Sequence, residues 1–159
     1  VFLVTEFGIT RADALLLHIC CEHGRLQIAD WLTEKFEFDY DDAVHNNNYA
    51  LRLACENGHL EVVNFLIEKF QLTAKDARSL NNYALCFSNS EDVHSANIRP
   101  FRLSCAGGHL ETAKWLVSRF SLTVEDMRIY NDYALKVSER NAHSSVVQWL
   151  KAEFGLAPC

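Results

Sequence analysis

Three sets of residues in this chain are of types that do chemistry. His59, His109 and His143 recur at one spacing, Cys21, Cys55 and Cys105 at another, and Asp39-Tyr40-Asp41-Asp42 gathers three carboxylates. Imidazole and thiolate together suggest either a zinc site or a thiol–imidazole nucleophile. Zinc needs its nitrogens about 2 Å from one metal, whereas neighbouring helix pairs pack at roughly 8 to 10 Å. One histidine per repeated unit is therefore a ladder and not a coordination shell, and turn-stabilising hydrogen bonds are its expected role. No Cys-x-x-Cys pair exists, which argues against a structural zinc, and no motif supports a cysteine nucleophile. The acidic cluster lacks the glycine and closing glutamate of a calcium loop, so it reads as a solvated acidic connector. Cys21, Cys55 and Cys105, with Cys20 beside one of them, fit small side chains buried between close helices. All six cysteines are expected to be reduced thiols in an intracellular protein, cytoplasmic or nuclear.

The elements that must position these residues are visible in one stretch, Tyr49 to Asn82. Its apolar residues form two short helical patterns, Leu51/Ala54/Cys55 and Leu60/Val63/Leu66/Ile67/Phe70, each on one face at three-and-four spacing. Gly58 separates them. Without a Cβ it takes φ > 0 at little steric cost and lets the chain reverse. The unit is a helix hairpin, and each helix is too short to be stable alone in water. Turn positions recur at Gly24, Gly58, Gly108 and Ala142, at intervals of 34, 50 and 34 residues. An aromatic keeps the same register at Trp31, Phe65, Trp115 and Trp149, read as core and not as a cofactor box. A closing phenylalanine follows at Phe36, Phe70, Phe120 and Phe154.

Composition narrows the function. The 159 residues are 49% hydrophobic and 23% charged, enough for a sizeable core, and no run of apolar residues is long enough to span a membrane. A net charge of −6 disfavours a nucleic-acid backbone as partner. Phe2-Leu3-Val4-Thr5-Glu6-Phe7 matches Trp31 to Phe36 and Phe65 to Phe70, so residues 1–9 read as half a repeat and the chain as a fragment of a longer array. Neither end shows an evident polar cap. The connectors place Thr10, Thr73 and Thr123 three residues before Asp13, Asp76 and Asp126, which predicts capping boxes and a turn of helix in each. They end in Asn46-Asn47-Asn48, Asn81-Asn82 or Asn131-Asp132, which tolerate left-handed backbone. Tyr49, Tyr83 and Tyr133 then open the next helix. The longer interval places 16 extra residues around 83–97, read as a tolerated surface insertion or, functionally, as a reach toward a partner.

These residues resemble the ankyrin repeat. Ala50-Leu51-Arg52-Leu53-Ala54-Cys55-Glu56-Asn57-Gly58-His59 is similar to the family's T-P-L-H-x-A-A-x-x-G-H. Arg99-Pro100-Phe101-Arg102-Leu103-Ser104-Cys105-Ala106-Gly107-Gly108-His109 keeps the proline as well, and Val62-Val63-Asn64-Phe65-Leu66 follows its V-V-x-x-L. Tyr or Arg replaces the opening Thr, Ala142 replaces a turn glycine, and the connectors read as helical turns where the family usually has a β-hairpin finger. A tetratricopeptide array shares the 34-residue period, but its W-x-x-L-G-x-x-Y signature is absent. The expected fold is an all-α solenoid over residues 1–159, a long 34-residue variant, with hairpins over about 10–36, 46–70, 98–120 and 131–154. Such an array can serve as an interaction module or as a structural spacer or scaffold segment, and an enzyme is the third alternative. Variation at Glu22/His23, Glu56/Asn57, Ala106/Gly107 and Arg140/Asn141 favours the first over a spacer, and nothing favours catalysis. The resemblance implies a protein partner on the concave face, touching Glu22, His23, Asn47, Glu56, Asn57, Arg140 and Asn141. No cofactor, metal, nucleic acid, membrane or small-molecule substrate is expected.

Overall fold

In the computed structural model, which describes residues 15–73, 76 and 99–156, the two apolar patterns of each unit fold as paired helices. The first hairpin is α1 (Leu15–Glu22) with α2 (Leu26–Lys35), and the second is α3 (Tyr40–Glu56) with α4 (Leu60–Lys69). The third is α5 (Arg99–Ala106) with α6 (Leu110–Phe120), and the fourth α7 (Val124–Arg140) with α8 (Ser144–Phe154). No strand occurs among the described residues. The fold is an all-α, ankyrin-like repeat array. The half repeat at 1–9, the Thr10–Asp13 connector, the Asn81-Asn82-Tyr83 segment, the insertion near 83–97, Cys86 and Cys159 lie outside the described residues.

Each hairpin turns at its expected position. Gly24, Gly58, Gly108 and Ala142 hold φ of 66°, 73°, 78° and 59°. The carbonyls left over at the first helix's end are taken by the turn itself. His59 N–H donates to Ala54 O at 2.9 Å and Gly58 N–H to Cys55 O at 3.3 Å, the paired bonds of a Schellman motif. The same pair closes α5 and α7. The second helices end similarly, and here the residue types give no warning: Glu37, Gln71 and Ser121 are left-handed at 51°, 53° and 47°, with Gly155 at 60°. The following residue drives this. Phe38, Leu72 and Leu122 are buried, and their N–H groups return at 3.0 Å to Thr33 O, Ile67 O and Val117 O. Burying that side chain requires the left-handed step before it.

The connectors are helical, as their caps predict. Thr123 caps α7, its N–H donating to Asp126 Oδ2 at 2.8 Å and its hydroxyl accepting from Asp126 N–H at 3.4 Å. Thr73 and Asp76 repeat the arrangement. The helical turn is also longer than expected, running without a gap into the first helix of the hairpin. α3 starts at Tyr40 and not near 46, and α7 at Val124 and not near 131. Left-handed residues inside them, Asn46 and Asn48 in α3 and Asp132 in α7, bend the backbone where the connector meets the hairpin. Asn48 is buried, and its amide donates to Asp76 O at 3.0 Å, tying one connector to the next.

The core lies between the two helices of each hairpin and between successive hairpins. Leu17, Leu51, Phe101 and Leu135 fill it from the first helices, and Leu32, Leu66, Leu116 and Leu150 from the second. Cys21, Cys55 and Cys105 are buried and unpaired in a disulfide. The aromatic row differs from expectation. Trp31 is exposed and Phe65, Trp115 and Trp149 are half-buried, flanking the core; Trp31 meets Phe36 edge-on at 6.5 Å and Trp149 meets Phe154 at 5.6 Å. First helices pack broadly on one another, while second helices meet only sparsely. The side formed by the first helices is termed the inner side, and that formed by the second helices the outer side.

The fourth hairpin differs from the others on one side. At the position of Cys21, Cys55 and Cys105 it has Glu139, exposed and 2.8 Å from Lys151 Nζ. Lys151 stands where Thr33, Ile67 and Val117 stand in the other hairpins. That side carries an ion pair, with Val147 the half-buried apolar residue beside it.

Candidate partner-binding face

The inner face is built from the exposed side of the first helices. A helix turns through seven residues in about two turns, so Leu15, Ile19 and Glu22 share one side of α1, and all three are exposed. In the next hairpins that row continues through half-buried Leu53 and exposed Glu56, then half-buried Leu103 and Ala106, then buried Val137 and exposed Arg140. The row passes from apolar and acidic at α1 and α3 to basic at α7.

Of the residues expected to bind a partner, Glu22, His23, Glu56, Asn57, Arg140 and Asn141 are all exposed at first-helix ends. Asn47 falls in the bend of α3, and its side chain lies outside the described residues. They divide by what their side chains already do. Asn57 Nδ2 donates to Leu53 O at 2.9 Å, and His23 Nδ1 lies 3.0 Å from Ile19 O, each capping its own helix. Asn141 Nδ2 donates to Ala106 O of the preceding hairpin at 2.8 Å. The side chains of Glu22, Glu56 and Arg140 carry no such bond among the described residues. The outer residues Glu61 and Lys114 are exposed on second helices, with Lys114 paired to Glu111 at 3.2 Å. Asn64 is half-buried.

The histidine ladder has a definite structural task. His59 Nε2 meets Glu22 O, His109 Nε2 meets Glu56 O and His143 Nε2 meets Ala106 O, each at 2.9 Å. A carbonyl only accepts, so each Nε2 carries the proton and donates it to the last turn of the preceding hairpin's first helix. That satisfies an orphan carbonyl and links two units. It also removes Nε2 as a metal ligand. No group of three or more His, Cys, Asp or Glu among the described residues is placed to hold a metal ion.

The acidic connector also resolves into caps. Asp39 Oδ1 accepts from Asp41 N–H and Asp42 N–H at 3.0 and 3.2 Å, and Asp39 N–H donates to Asp42 Oδ2 at 2.9 Å. Tyr40 donates its hydroxyl to Asp76 Oδ1 of the following connector. Burial by itself raises the Asp76 pKa, but bonds from the Tyr40 hydroxyl and from the Thr73 hydroxyl and N–H hold it below the ordinary carboxylate value. Burial pushes the Cys21 thiol up to about 12, helped by Cys20, and pushes those of Cys55 and Cys105 up further. Such thiols are inert at neutral pH.

Sequence reasoning missed a second row beside the first. His18, Arg52, Arg102 and Lys136 share one repeat position, and the first three meet tyrosines that lie inside the long helices α3 and α7 and do not open them. His18 meets Tyr49 edge-on at 5.0 Å, the Arg52 guanidinium lies 5.1 Å from the Tyr49 ring centre, and that of Arg102 lies 4.2 Å from Tyr133. The His18–Tyr49 and Arg102–Tyr133 contacts join adjacent hairpins through edge and cation–π interactions, while Arg52–Tyr49 lies within α3. The recurring basic position was visible in the alignment of the repeats. Its pairing with tyrosine was not, because the tyrosine comes from the next unit in two of the three contacts. Burial, and secondly His45, lowers the His18 pKa.

An open depression of about 250 Å³, lined by Glu139, Ala142, Ser144, Val147 and Gln148, lies on the fourth hairpin, away from the acidic part of the inner row. No described helix is long and apolar enough to cross a membrane. Residues 17–67 match the family model for ankyrin repeats (many copies). No curated protein matches the chain. Ankyrin repeats are generally protein–protein interaction modules and are typically non-catalytic. That match covers α1 to α4, and the same hairpin geometry repeats through α8, so the chain is an all-α helical array similar to ankyrin repeats.

Proposed function

We propose that the chain is a non-catalytic interaction module whose protein partner lies along the concave face, touching Glu22, His23, Asn47, Glu56, Asn57, Arg140 and Asn141. The observation that carries this reading is the inner row itself. Exposed Leu15, Ile19, Glu22 and Glu56, with half-buried Leu53, follow one another across two hairpins. Solvent-facing apolar residues in line with carboxylates that have no bond among the described residues suit a partner that brings apolar and basic groups together. Glu22 and Glu56 carry the charge recognition, and the capped Asn57, His23 and Asn141 offer fixed polar edges. Buried, protonated thiols suit an intracellular, cytoplasmic or nuclear setting. No cofactor, nucleic acid, membrane or small-molecule substrate enters this reading, and the net charge of −6 opposes a phosphate backbone.

The test is charge reversal against a partner captured with the full chain. Glu56→Arg weakens binding by about 1 kcal/mol or more, as for a contact near an interface centre, while Glu61→Arg on the outer face leaves it unchanged. Loss of binding in Glu61→Arg alone assigns the partner to the convex side and rejects the concave reading.

A further inference from the structure

A tyrosine ties one connector to the next. The Tyr40 hydroxyl donates to Asp76 Oδ1, and Asn48 of the same helix donates its amide to Asp76 O at 3.0 Å. Asp76 serves its own cap through Oδ2, which accepts from Thr73 N–H and from the Thr73 hydroxyl, each at 2.7 Å. The fold does not call for tyrosine at this place. Aligning the connectors sets Tyr40 against Ala74 and Val124, and Val124 packs half-buried on the core. Tyr40 is instead 45% exposed, whereas Tyr49 and Tyr133 are half-buried beneath Arg52 and Arg102. Its flanks are acidic, with Glu37 and Asp39 before it and Asp41 and Asp42 after. The chain leading to it is not helical: Glu37 is left-handed at 51°, and Asp39 is extended, with φ of −113° and ψ of −173°.

We propose that Tyr40 is a phosphorylation site for a tyrosine kinase that reads acidic flanks, and that the added phosphoryl group unlocks the two connectors. The phenolic oxygen forms a bond to the γ-phosphorus of a nucleoside triphosphate. The bond from that phosphorus to the β,γ-bridging oxygen breaks, the nucleoside diphosphate leaves and the phenolic proton is released. Access favours this hydroxyl, because the residues before it are already non-helical and only the first turn of α3 must open, which costs less than opening a core element. The effect follows from charge. The phosphorylated oxygen has no proton left to donate to Asp76, and a group of about two negative charges meets the Asp76 carboxylate beside Asp39 and Asp42. A helix N-terminus ordinarily welcomes a phosphate. Here Asp39 Oδ1 already takes the Asp41 and Asp42 N–H groups at 3.0 and 3.2 Å, so repulsion prevails. Thr73 keeps its bonds to Asp76, which confines the change to the tie between connectors.

Treatment of the full chain with a panel of tyrosine kinases and magnesium ATP, followed by mass spectrometry of the digest, tests the site. Tyr40 gains the phosphoryl group about tenfold or more faster than Tyr49 or Tyr133, whose half-buried rings wait on wider opening. A peptide of residues 34–46 is the control for the kinases. The site assignment is overturned if they modify the peptide and not the intact chain, if they modify neither, or if Tyr49 or Tyr133 reacts as fast as Tyr40. Hydrogen exchange reads the consequence. Phosphorylation speeds exchange of the amides in the first turn of α3 by more than Tyr40→Phe does, because the variant loses the hydrogen bond without gaining charge, and the α8 amides stay unchanged. Asp76→Asn, which removes the facing carboxylate, shrinks that excess. The unlocking is overturned if the phosphorylated chain exchanges like Tyr40→Phe, if Asp76→Asn leaves the excess intact, or if α8 accelerates to match.

Discussion

Gly58→Ala isolates the contact that couples one hairpin to the next. Gly58 holds φ of 73°, and a Cβ added there would lie 2.2 Å from Nδ1 of His109, whose ring covers the turn while its Nε2 donates to Glu56 O. Left-handed strain costs an L-residue about 1 to 2 kcal/mol, offset by about 0.4 to 1 kcal/mol from the stiffer unfolded chain. Pushing His109 off its carbonyl loses a hydrogen bond contributing about 0.5 to 1.5 kcal/mol. The total is roughly 2 kcal/mol, or a fall of about 4 to 8 °C in Tm for a chain of this size. Gly155 is the internal comparison: its φ is 60°, but nothing lies within 4 Å of an added Cβ. Gly155→Ala therefore bears strain alone and costs less than 1 kcal/mol by the same reckoning. Urea denaturation followed by circular dichroism at neutral pH reads both. In a His109→Ala background the cost of Gly58→Ala falls to that of Gly155→Ala, since the displaced bond is already gone. Equal costs at 58 and 155 in the parent, or strict additivity with His109→Ala, would refute the coupling through histidine.

Two further outcomes follow from the same backbone and from the connector clamp. Ala142→Gly stabilises the chain by about 0.5 kcal/mol, because it relieves the strain of an L-residue at 59° and returns only part of it as unfolded-state entropy; a lower urea midpoint contradicts the turn assignment. Tyr40→Phe flattens both limbs of the pH–stability curve. Asp76 is held below its unfolded value, so it contributes stability that is complete above the ordinary carboxylate range and is lost as pH falls through the folded pKa. Tyr40 is raised above its own, chiefly by its bond to Asp76, so its contribution is complete below about pH 10 and lost as pH rises through the folded pKa. Thr73 still holds Asp76 in the variant, so the acid limb shrinks without vanishing. Thermal scans at acid and alkaline pH that superimpose on the parent's reject the clamp.

What could be read from residue types depended on whether one type or one neighbour dictates the conformation. The turns at Gly24, Gly58, Gly108 and even Ala142 were legible because three independent markers hold one register. Asn48 and Asp132 were legible as left-handed because short polar side chains tolerate that region. Glu37, Gln71 and Ser121 were not, since nothing about glutamate, glutamine or serine asks for φ near 50°. Burial of the next residue imposes it, and that is a tertiary effect. The histidines were expected to hydrogen-bond within the turn, yet each bonds the preceding hairpin, because register within a unit carries no information about the distance between units. At the site, the exposed ends of the first helices were legible from the repeat. The capping bonds of Asn57 and His23 and the reach of Asn141 to Ala106 were not, because an exposed amide or imidazole looks the same in sequence whether or not it is engaged.

That division bears on why Ala142 escapes the glycine that the other turns require. Over Gly24, Gly58 and Gly108 lies the histidine of the following hairpin, close enough to exclude any Cβ. Ala142 is exposed and holds φ of 59°, and a Cβ is accommodated there. A left-handed alanine costs about 1 to 2 kcal/mol, whereas a Cβ against a histidine costs the link between two units as well. Repeat arrays derive their stability from such nearest-neighbour terms. The glycines are thus fixed by the interfaces and not by the turns, and the same holds for the cysteines: Cys21, Cys55 and Cys105 are buried, and at their position in the fourth hairpin a charged Glu139 is accommodated. Residues that looked catalytic by type are tied to the joints between hairpins. Under the proposed function, the residues that would meet a partner are those no joint constrains, and among the described residues Glu22, Glu56 and Arg140 on the inner row fit that condition best.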